Sequence, residues 1–409
     1  MRILHTADWH LGDRLGRIDR TDDLRRGVER IADYCQGEAV DLLLVAGDLF
    51  SDLSRPDALR ESIAHLQGVF LPFLRRGGTI VALTGNHDNE TFCQTLRHAL
   101  TLAAPDGLNG APGRGGRLYL ATGPSVRTIA GHDGRPVQFV LMPYPTAGRY
   151  LDDQAGRSEG PAERPRAVQA AYAARLRQLR EGPHFRPDLP TVLAAHIHVE
   201  GARFPGAFRM DARESLVFPA DHIPDDWAYV ALGHIHQPQA LGGKPHVRYS
   251  GSIDRLDLGE KGDLKSAVLI DVGPEGLREP PALLPLDATP IYEVVLTRPE
   301  EELPNLRAMY PDSDRALVRY HLTYRPGVDN LLAIQDELDR IFPRWYDRDW
   351  HEAGASTPTG PWPVEVAPPT HRGVRETVMD YLSAELADHD DRQAVLELAG
   401  ALLAEEDLA

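Results

Sequence analysis

Two cysteines in 409 residues, Cys35 and Cys93, are too few for a disulfide framework or a cysteine-ligated zinc site. Both fall in helix-like segments and read as reduced thiols packed as small hydrophobes. Long apolar runs are missing too. Hydrophobic residues make up 42%, yet no run reaches the roughly 18–20 residues of a membrane-spanning helix. The opening MRILHTADWH lacks a basic n-region, a long h-region and a small-residue cleavage site, so a cytoplasmic location is expected. No GxxxxGKS/T phosphate loop occurs. Glycine-rich GLNGAPGRGGR, residues 107 to 117, reads as a flexible loop, and any dependence on ATP has to come from another chain. Positive charge is not in excess, since 44 Lys and Arg face 61 Asp and Glu for a net charge of −17. The balance is lopsided. Glu376 to Ala409 holds ten acidic residues and one basic one, or −9, leaving −8 for everything before it. Local basic patches can therefore still steer a polyanion.

What is present is an alternation of short apolar runs and helix-like stretches. RILHTAD, DDLRRGVERIADYCQGE, DLLLVAGD, RPDALRESIAHLQGVFLPFLRR and TIVALTGN predict a βαβαβ order and an α/β fold whose sheet is buried on at least one face. Further strands are expected at RLYLATG, PVQFVLMPYP, TVLAAHIH, WAYVALGHIH, HVRYSGS and KSAVLIDV. PAERPRAVQAAYAARLRQLREG reads as a helix whose arginines form a solvated face. Proline-rich EPPALLPLDATP closes a first domain, residues 1–280. IYEVVLT, ALVRYHLTY, NLLAIQDELDRIF and WYDRDWHE then predict a small α+β domain, residues 281–353. Residues 354–371, dense in Pro, Gly, Ser and Thr, read as a linker. Residues 372–409 read as two amphipathic helices, with Val374, Val378, Leu382 and Leu386 on one stripe and Val395, Leu398 and Leu402 on the other.

Chemistry-bearing residues cluster where the strand candidates end: Asp8 and His10 in ADWH, Asp48 in AGDLF, Asn86, His87 and Asp88 in GNHD, His196 in AAHIH, and His234 with His236 in GHIH. In sheets of this kind ligands sit outside the strand carboxyl ends. An Asp-x-His pair on an extended segment is expected to present both side chains to one face, and likewise His234 and His236. Each residue alone reads more readily as structural, so the conjunction carries the signal. Carboxylate, amide and imidazole donors with no thiolate suit hard or borderline divalent cations.

This set, DxH, GD, GNHD, a lone His and GHxH, resembles the calcineurin-like metallophosphoesterase superfamily. HLGDRLGRIDR, GDLFSDLSRP, ALGHIHQPQ and RYSGSIDRLDLGEKG resemble, more narrowly, the nuclease subunits of bacterial SbcCD-type DNA-repair complexes. The resemblance implies a β-sandwich flanked by helices, a small cap and a helical tail. It implies two divalent metal ions, manganese by preference, with Asp48 bridging, Asp8, His10 and His236 on one and Asn86, His196 and His234 on the other. His87 then becomes the catalytic proton donor or transition-state stabiliser, and Asp88 either orients His87 or caps the following helix. Ser51, followed by Asp52, stands where some relatives carry a second histidine or an acid. His198 has no counterpart and reads as a structural residue or one just outside the ligand set.

The implied partners are DNA, as duplex ends, hairpins and single strands, an SbcC-type ATPase docked on the C-terminal helices, and a second copy of the chain through RPDALRESIAHLQGVFLPFLRR and TFCQTLRHALTLA. The implied activities are double-strand exonuclease and single-strand or hairpin endonuclease. Arg14, Arg17 and Arg20, in the loop past the first ligand pair, are candidate contacts to a DNA backbone. Two other readings remain open: a stand-alone phosphatase or small phosphodiesterase, and a non-catalytic subunit that tethers DNA.

Overall fold

The computed structural model describes residues 1–51, 55–103, 116–151, 163–204, 216–223 and 226–353, together with Gln393 and Leu396. Met1–Ala353 forms one compact unit and Gly354–Ala409 a second. The expected linker at 354–371 and nearly all of the two tail helices lie outside the described residues.

The expected βαβαβ start is present: β1 (Arg2–Thr6), α1 (Thr21–Gly37), β2 (Leu42–Ala46), α2 (Pro56–Arg75) and β3 (Thr79–Leu83), with α3 (Glu90–Ala103) and β4 (Leu118–Ala121) following. These four strands are parallel neighbours in a seven-stranded sheet, which β11 (Ser266–Gly273) extends antiparallel to β1. A second, six-stranded sheet contains β5 (Ser125–Ala130), β6 (Pro136–Met142), β7 (Thr191–His196), β8 (Tyr229–Gly233), β9 (Gln239–Leu241) and β10 (Lys244–Tyr249). Between β6 and β7 runs α4 (Arg164–Glu181).

The continuous apolar strands are explained by burial on both faces. In β2, Leu43 and Val45 pack toward α1 and α2, while Leu42 and Leu44 meet Phe139, Leu141, Val192 and Tyr229 of the second sheet. The other face of that sheet packs Leu193, Val230 and Leu232 against Tyr172 and Leu176 of α4. The described part of Met1–Ala353 thus contains a sandwich flanked by helices. Cys35 and Cys93 are free thiols buried in α1 and α3.

Two strands depart from expectation. Ser125–Ala130 is a half-buried edge strand with no apolar alternation to announce it. The proline-rich stretch expected to close the first domain instead supplies β12 (Ala282–Pro285), which pairs with β11; an edge strand tolerates Pro285 because its N–H side needs no ladder partner. Beyond it, β13 (Ile291–Leu296), β14 (Leu317–Tyr324) and β15 (Trp345–Glu352) form a three-stranded parallel sheet backed by α5 (Leu331–Ile341). This layer has its own core of Val294, Val318, Tyr320, Leu338 and Phe342.

Candidate metal centre

Strands β1, β2 and β3 run parallel, as do β7 and β8, and the residues just past their carboxyl ends meet at one edge of the sandwich. The backbone there is unusual. Among the described residues five non-glycines have positive φ, and four are Asp8 (53°), His10 (45°), Asp48 (51°) and His234 (93°). Left-handed backbone at non-glycine residues stores strain and concentrates at functional sites. It also corrects the expectation that Asp-x-His presents both side chains from an extended segment. β1 ends at Thr6, and left-handed turns bring Asp8 and His10 to the site while Trp9 between them stacks on Phe70.

The two loops lace together through main-chain bonds from Asp8 N to Gly47 O (3.0 Å) and from His10 N to Asp48 O (3.0 Å). The glycines before Asp48 and Asn86 have a steric reason. A Cβ on Gly47 would lie 2.1 Å from His196 Nδ1, and one on Gly85 would lie 2.0 Å from Asp48 Oδ1.

All seven candidate ligands converge. Asp48 Oδ2 lies 3.1 Å from His196 Nε2 and 3.6 Å from His10 Nε2. Asn86 Oδ1 is 3.0 Å from both His196 Nε2 and His234 Nδ1. Asp8, His10 and His236 form one group whose donor atoms lie within 4.8 Å of one another; Asp8, Asp48 and His196 form another, and His10, Asp48 and His87 a third. His87 gives its main-chain N–H to Asp48 Oδ1 at 2.9 Å, and its half-buried ring stands 4.9 Å from that of His10.

The electrostatics follow from burying this many ionisable groups. Burial raises the Asp8 carboxyl above the usual range and lowers His10 to about 3, leaving a neutral imidazole. His196 goes the other way, since burial is outweighed by Asp48 beside it and the ring is held up at about 9. Asp48 shows the reciprocal effect, lying well below the usual carboxylate range despite its burial.

A family model for calcineurin-like phosphoesterases matches residues 1–238. The chain belongs to the calcineurin-like phosphoesterase family. Among curated relatives it is 29% identical over 278 residues to a Bacillus subtilis (strain 168) protein named as a subunit of the nuclease SbcCD, a match covering 67% of each chain. It is 31% identical over 277 residues to the Escherichia coli (strain K12) protein of the same name, covering 66% of this chain and 64% of the relative. With the Rhodobacter capsulatus protein of that name the identity is 31% over 288 residues, 66% of each. The matched stretch thus spans about two thirds of each relative.

The residues of this calcineurin-like phosphoesterase fit divalent cations. His10 Nε2 is buried and has no hydrogen-bond partner, although it points among carboxylates. Asp8 and Asp48 are 0% and 1% exposed, and a buried carboxylate needs a counter-charge. The only donors are oxygen and imidazole nitrogen, both thiols being buried elsewhere in helices.

Several neighbours were not foreseen. Tyr144, just past β6, lays its ring 5.6 Å from that of His234 and 6.1 Å from that of His196; its signal was the PYP turn at a strand end. Glu260 and Lys265 form a buried pair behind His236, hidden in a charged segment that reads as surface. Asp88 neither caps α3 nor orients His87. Its carboxylate accepts from Phe50 N (2.9 Å) and Gly85 N (2.8 Å), pinning two ligand-bearing loops together, and burial raises it to about 6. Asn89 caps α3 instead, accepting from Phe92 N at 2.9 Å.

The arginine triplet divides. Arg14 and Arg17 are exposed. Arg20 is 0% exposed and bound to Asp23 (2.7 Å) and Asp254 (3.1 Å), so as a DNA contact it is corrected to a core ion pair. Ser51 is buried and gives its hydroxyl to Asp13 at 3.1 Å; Asp52 lies outside the described residues. His198 is a buried residue packed edge-on to Phe204 and belongs to none of the three ligand groups.

Proposed function

We propose that this calcineurin-like phosphoesterase is the two-metal DNA nuclease subunit of an SbcCD-type repair complex, cutting phosphodiester bonds at duplex ends, hairpins and single strands. One observation carries it: seven oxygen and imidazole donors converge at one edge of the sandwich with His87 beside them, in a chain similar to three nuclease subunits. Asp8, His10 and His236 would hold one cation, Asn86, His196 and His234 the other, with Asp48 between them. Manganese suits this hard-to-borderline donor set. Two bound divalent cations supply Lewis acidity, lowering the pKa of the attacking water and offsetting charge on the phosphate.

The remaining work falls to the chain. Asp48 keeps the histidines of both groups within reach of one carboxylate. His87, fixed by its own main chain to Asp48, delivers a proton to the departing sugar oxygen, a task that suits imidazole near neutral pH. Arg14 and Arg17 contact the DNA backbone. Arg17 Cζ lies 4.1 Å and Arg348 Cζ 4.0 Å from the Trp345 ring centroid, so a basic and aromatic face runs from the loop onto the small sheet. That face supports assigning the small α+β layer as a cap that selects how DNA enters. Residues 354–371 would then tether helices at 372–409 to an SbcC-type ATPase, α2 and α3 would pair two copies, and the complex would act in the cytoplasm.

The test is digestion of linear duplex, hairpin DNA and small phosphoesters by purified protein with manganese, with and without the ATPase. DNA cleavage abolished by Asp48→Asn supports the reading. Turnover of small phosphoesters alone, even with the ATPase present, replaces it with a stand-alone phosphodiesterase. Two bound cations with no hydrolysis of any substrate replaces it with a DNA tether.

A further inference from the structure

We infer that Glu260 is a positioning residue for one of the two cation sites, fixing the tautomer and ring orientation of His236 through a buried Glu260–Lys265 pair. The inference rests on the metal-site reading above and adds to it a residue outside the seven ligands.

His236 Nδ1 lies 2.8 Å from Glu260 Oε1. A carboxylate can only accept, so Nδ1 carries a proton, and Nε2 is the ring nitrogen left to serve a cation in the group shared with Asp8 and His10. Glu260 is 0% exposed and cannot turn away, because its second oxygen is held by Lys265 Nζ (2.6 Å), Ser252 Oγ (3.1 Å) and Leu256 N (3.2 Å). Lys265 Nζ in turn donates to the main-chain carbonyl of His236 at 2.8 Å and pairs with Asp263 at 3.0 Å. One buried pair therefore grips both the ring and the backbone of a single ligand.

The other group is built differently. His196 gives Nδ1 to the carbonyl of Ala46 at 2.7 Å, a neutral partner. A carboxylate partner makes imidazole a stronger donor than a carbonyl does, and losing such an outer partner typically weakens metal affinity about 10- to 100-fold. Glu260 should thus act on one cation and spare the other.

The experiment is calorimetric titration of metal-free full-length protein with manganese, joined to proton–nitrogen correlation spectra of the histidine rings. Wild type should take up two cations and show His236 protonated at Nδ1. Glu260→Gln should weaken one cation by about 10- to 100-fold, leave the other within about twofold, and alter the His236 tautomer signal alone. Because that variant takes from the buried Lys265 ammonium one of its two carboxylate partners, Glu260→Gln/Lys265→Met is made beside it, and the same selective loss is expected. If His236→Ala loses a cation while both Glu260 variants keep both affinities, or if the variants weaken both cations equally, the positioning role is wrong and the metal site stands. If wild type binds no manganese, or His236→Ala binds as wild type does, the metal-site reading falls and this inference with it.

Discussion

The sandwich edge and the small three-stranded layer both bring acids, histidines and arginines close together, but on opposite physical terms. At the sandwich edge Asp8, Asp48 and His196 are buried, and Asp8, His10, Asp48 and His234 sit on left-handed backbone. In the small layer Arg319 reaches Asp347 (3.1 Å) and Asp349 (3.2 Å), and His321 reaches Glu293 (3.4 Å) and Asp349 (3.2 Å), on partly exposed strands with no left-handed non-glycine residue among those described. Charge that is buried and held on strained backbone is retained for a use. Charge that is paired and wet needs only solvation as its explanation.

The sharpest way to break this contrast is to remove the charge at the centre of the edge. Asp48→Asn keeps a residue that tolerates left-handed backbone and can still accept from His87 N, so the loop should survive. Elemental analysis should show lost cations, and phosphodiester hydrolysis should fall by roughly 10⁴-fold or more, since Lewis-acid stabilisation is worth several kcal/mol at about 1.4 kcal/mol per tenfold. A variant holding two cations and cutting normally would show that burial and strain there serve the fold. His87→Ala probes the same edge without touching a proposed ligand. Hydrolysis should drop by about 10²–10⁴-fold with cation content intact, and joint loss of metal would make His87 a ligand, as its grouping with His10 and Asp48 permits.

Between the extremes lies Asp23, buried in α1 yet fully paired. It accepts from Arg20 (2.7 Å), Arg26 and Arg344, the last reaching across from the small layer. Asp23→Ala leaves Arg20 short of a partner and should destabilise the folded chain by about 3–5 kcal/mol in a denaturant titration, with cation binding at the edge retained. Burial would raise the Asp23 carboxyl, but Arg344 and Arg20 outweigh it and hold it below the usual range. Its contribution is therefore complete above about pH 4, the ordinary aspartate value, and is lost as pH falls through the lowered folded value. Asp23→Asn should flatten that acid limb of stability, and an unchanged limb would remove Asp23 from the acid response.

What could be read in the sequence follows from locality. The ligands were legible because each stands within four residues of an apolar strand's end, where Gly47 and Gly85 mark close approaches. The βαβ order was legible because strands covered on both faces read as unbroken apolar runs. What failed depended on distant partners. Arg20 looks like its exposed neighbours Arg14 and Arg17 until Asp254, far along the chain, covers it. Glu260 and Lys265 look like surface charge until folding closes them over His236. Asp88 carries a helix-cap signature that Asn89, one position on, fulfils instead.

The smallest effect belongs to the wet side of the comparison. Arg319 is 30% exposed and its partners Asp347 and Asp349 are 48% and 34% exposed, so solvent already screens both pairs. Arg319→Ala should change unfolding stability by less than about 1 kcal/mol, and high salt should shrink even that. The guanidinium geometry leaves room for a different result, because one arginine spans two aspartates on a neighbouring strand while His321 draws on one of them. A loss above about 2 kcal/mol that persists in high salt would mean the ladder acts as a network that holds β14 against β15. The contrast would then rest on backbone strain alone, with exposure removed from it.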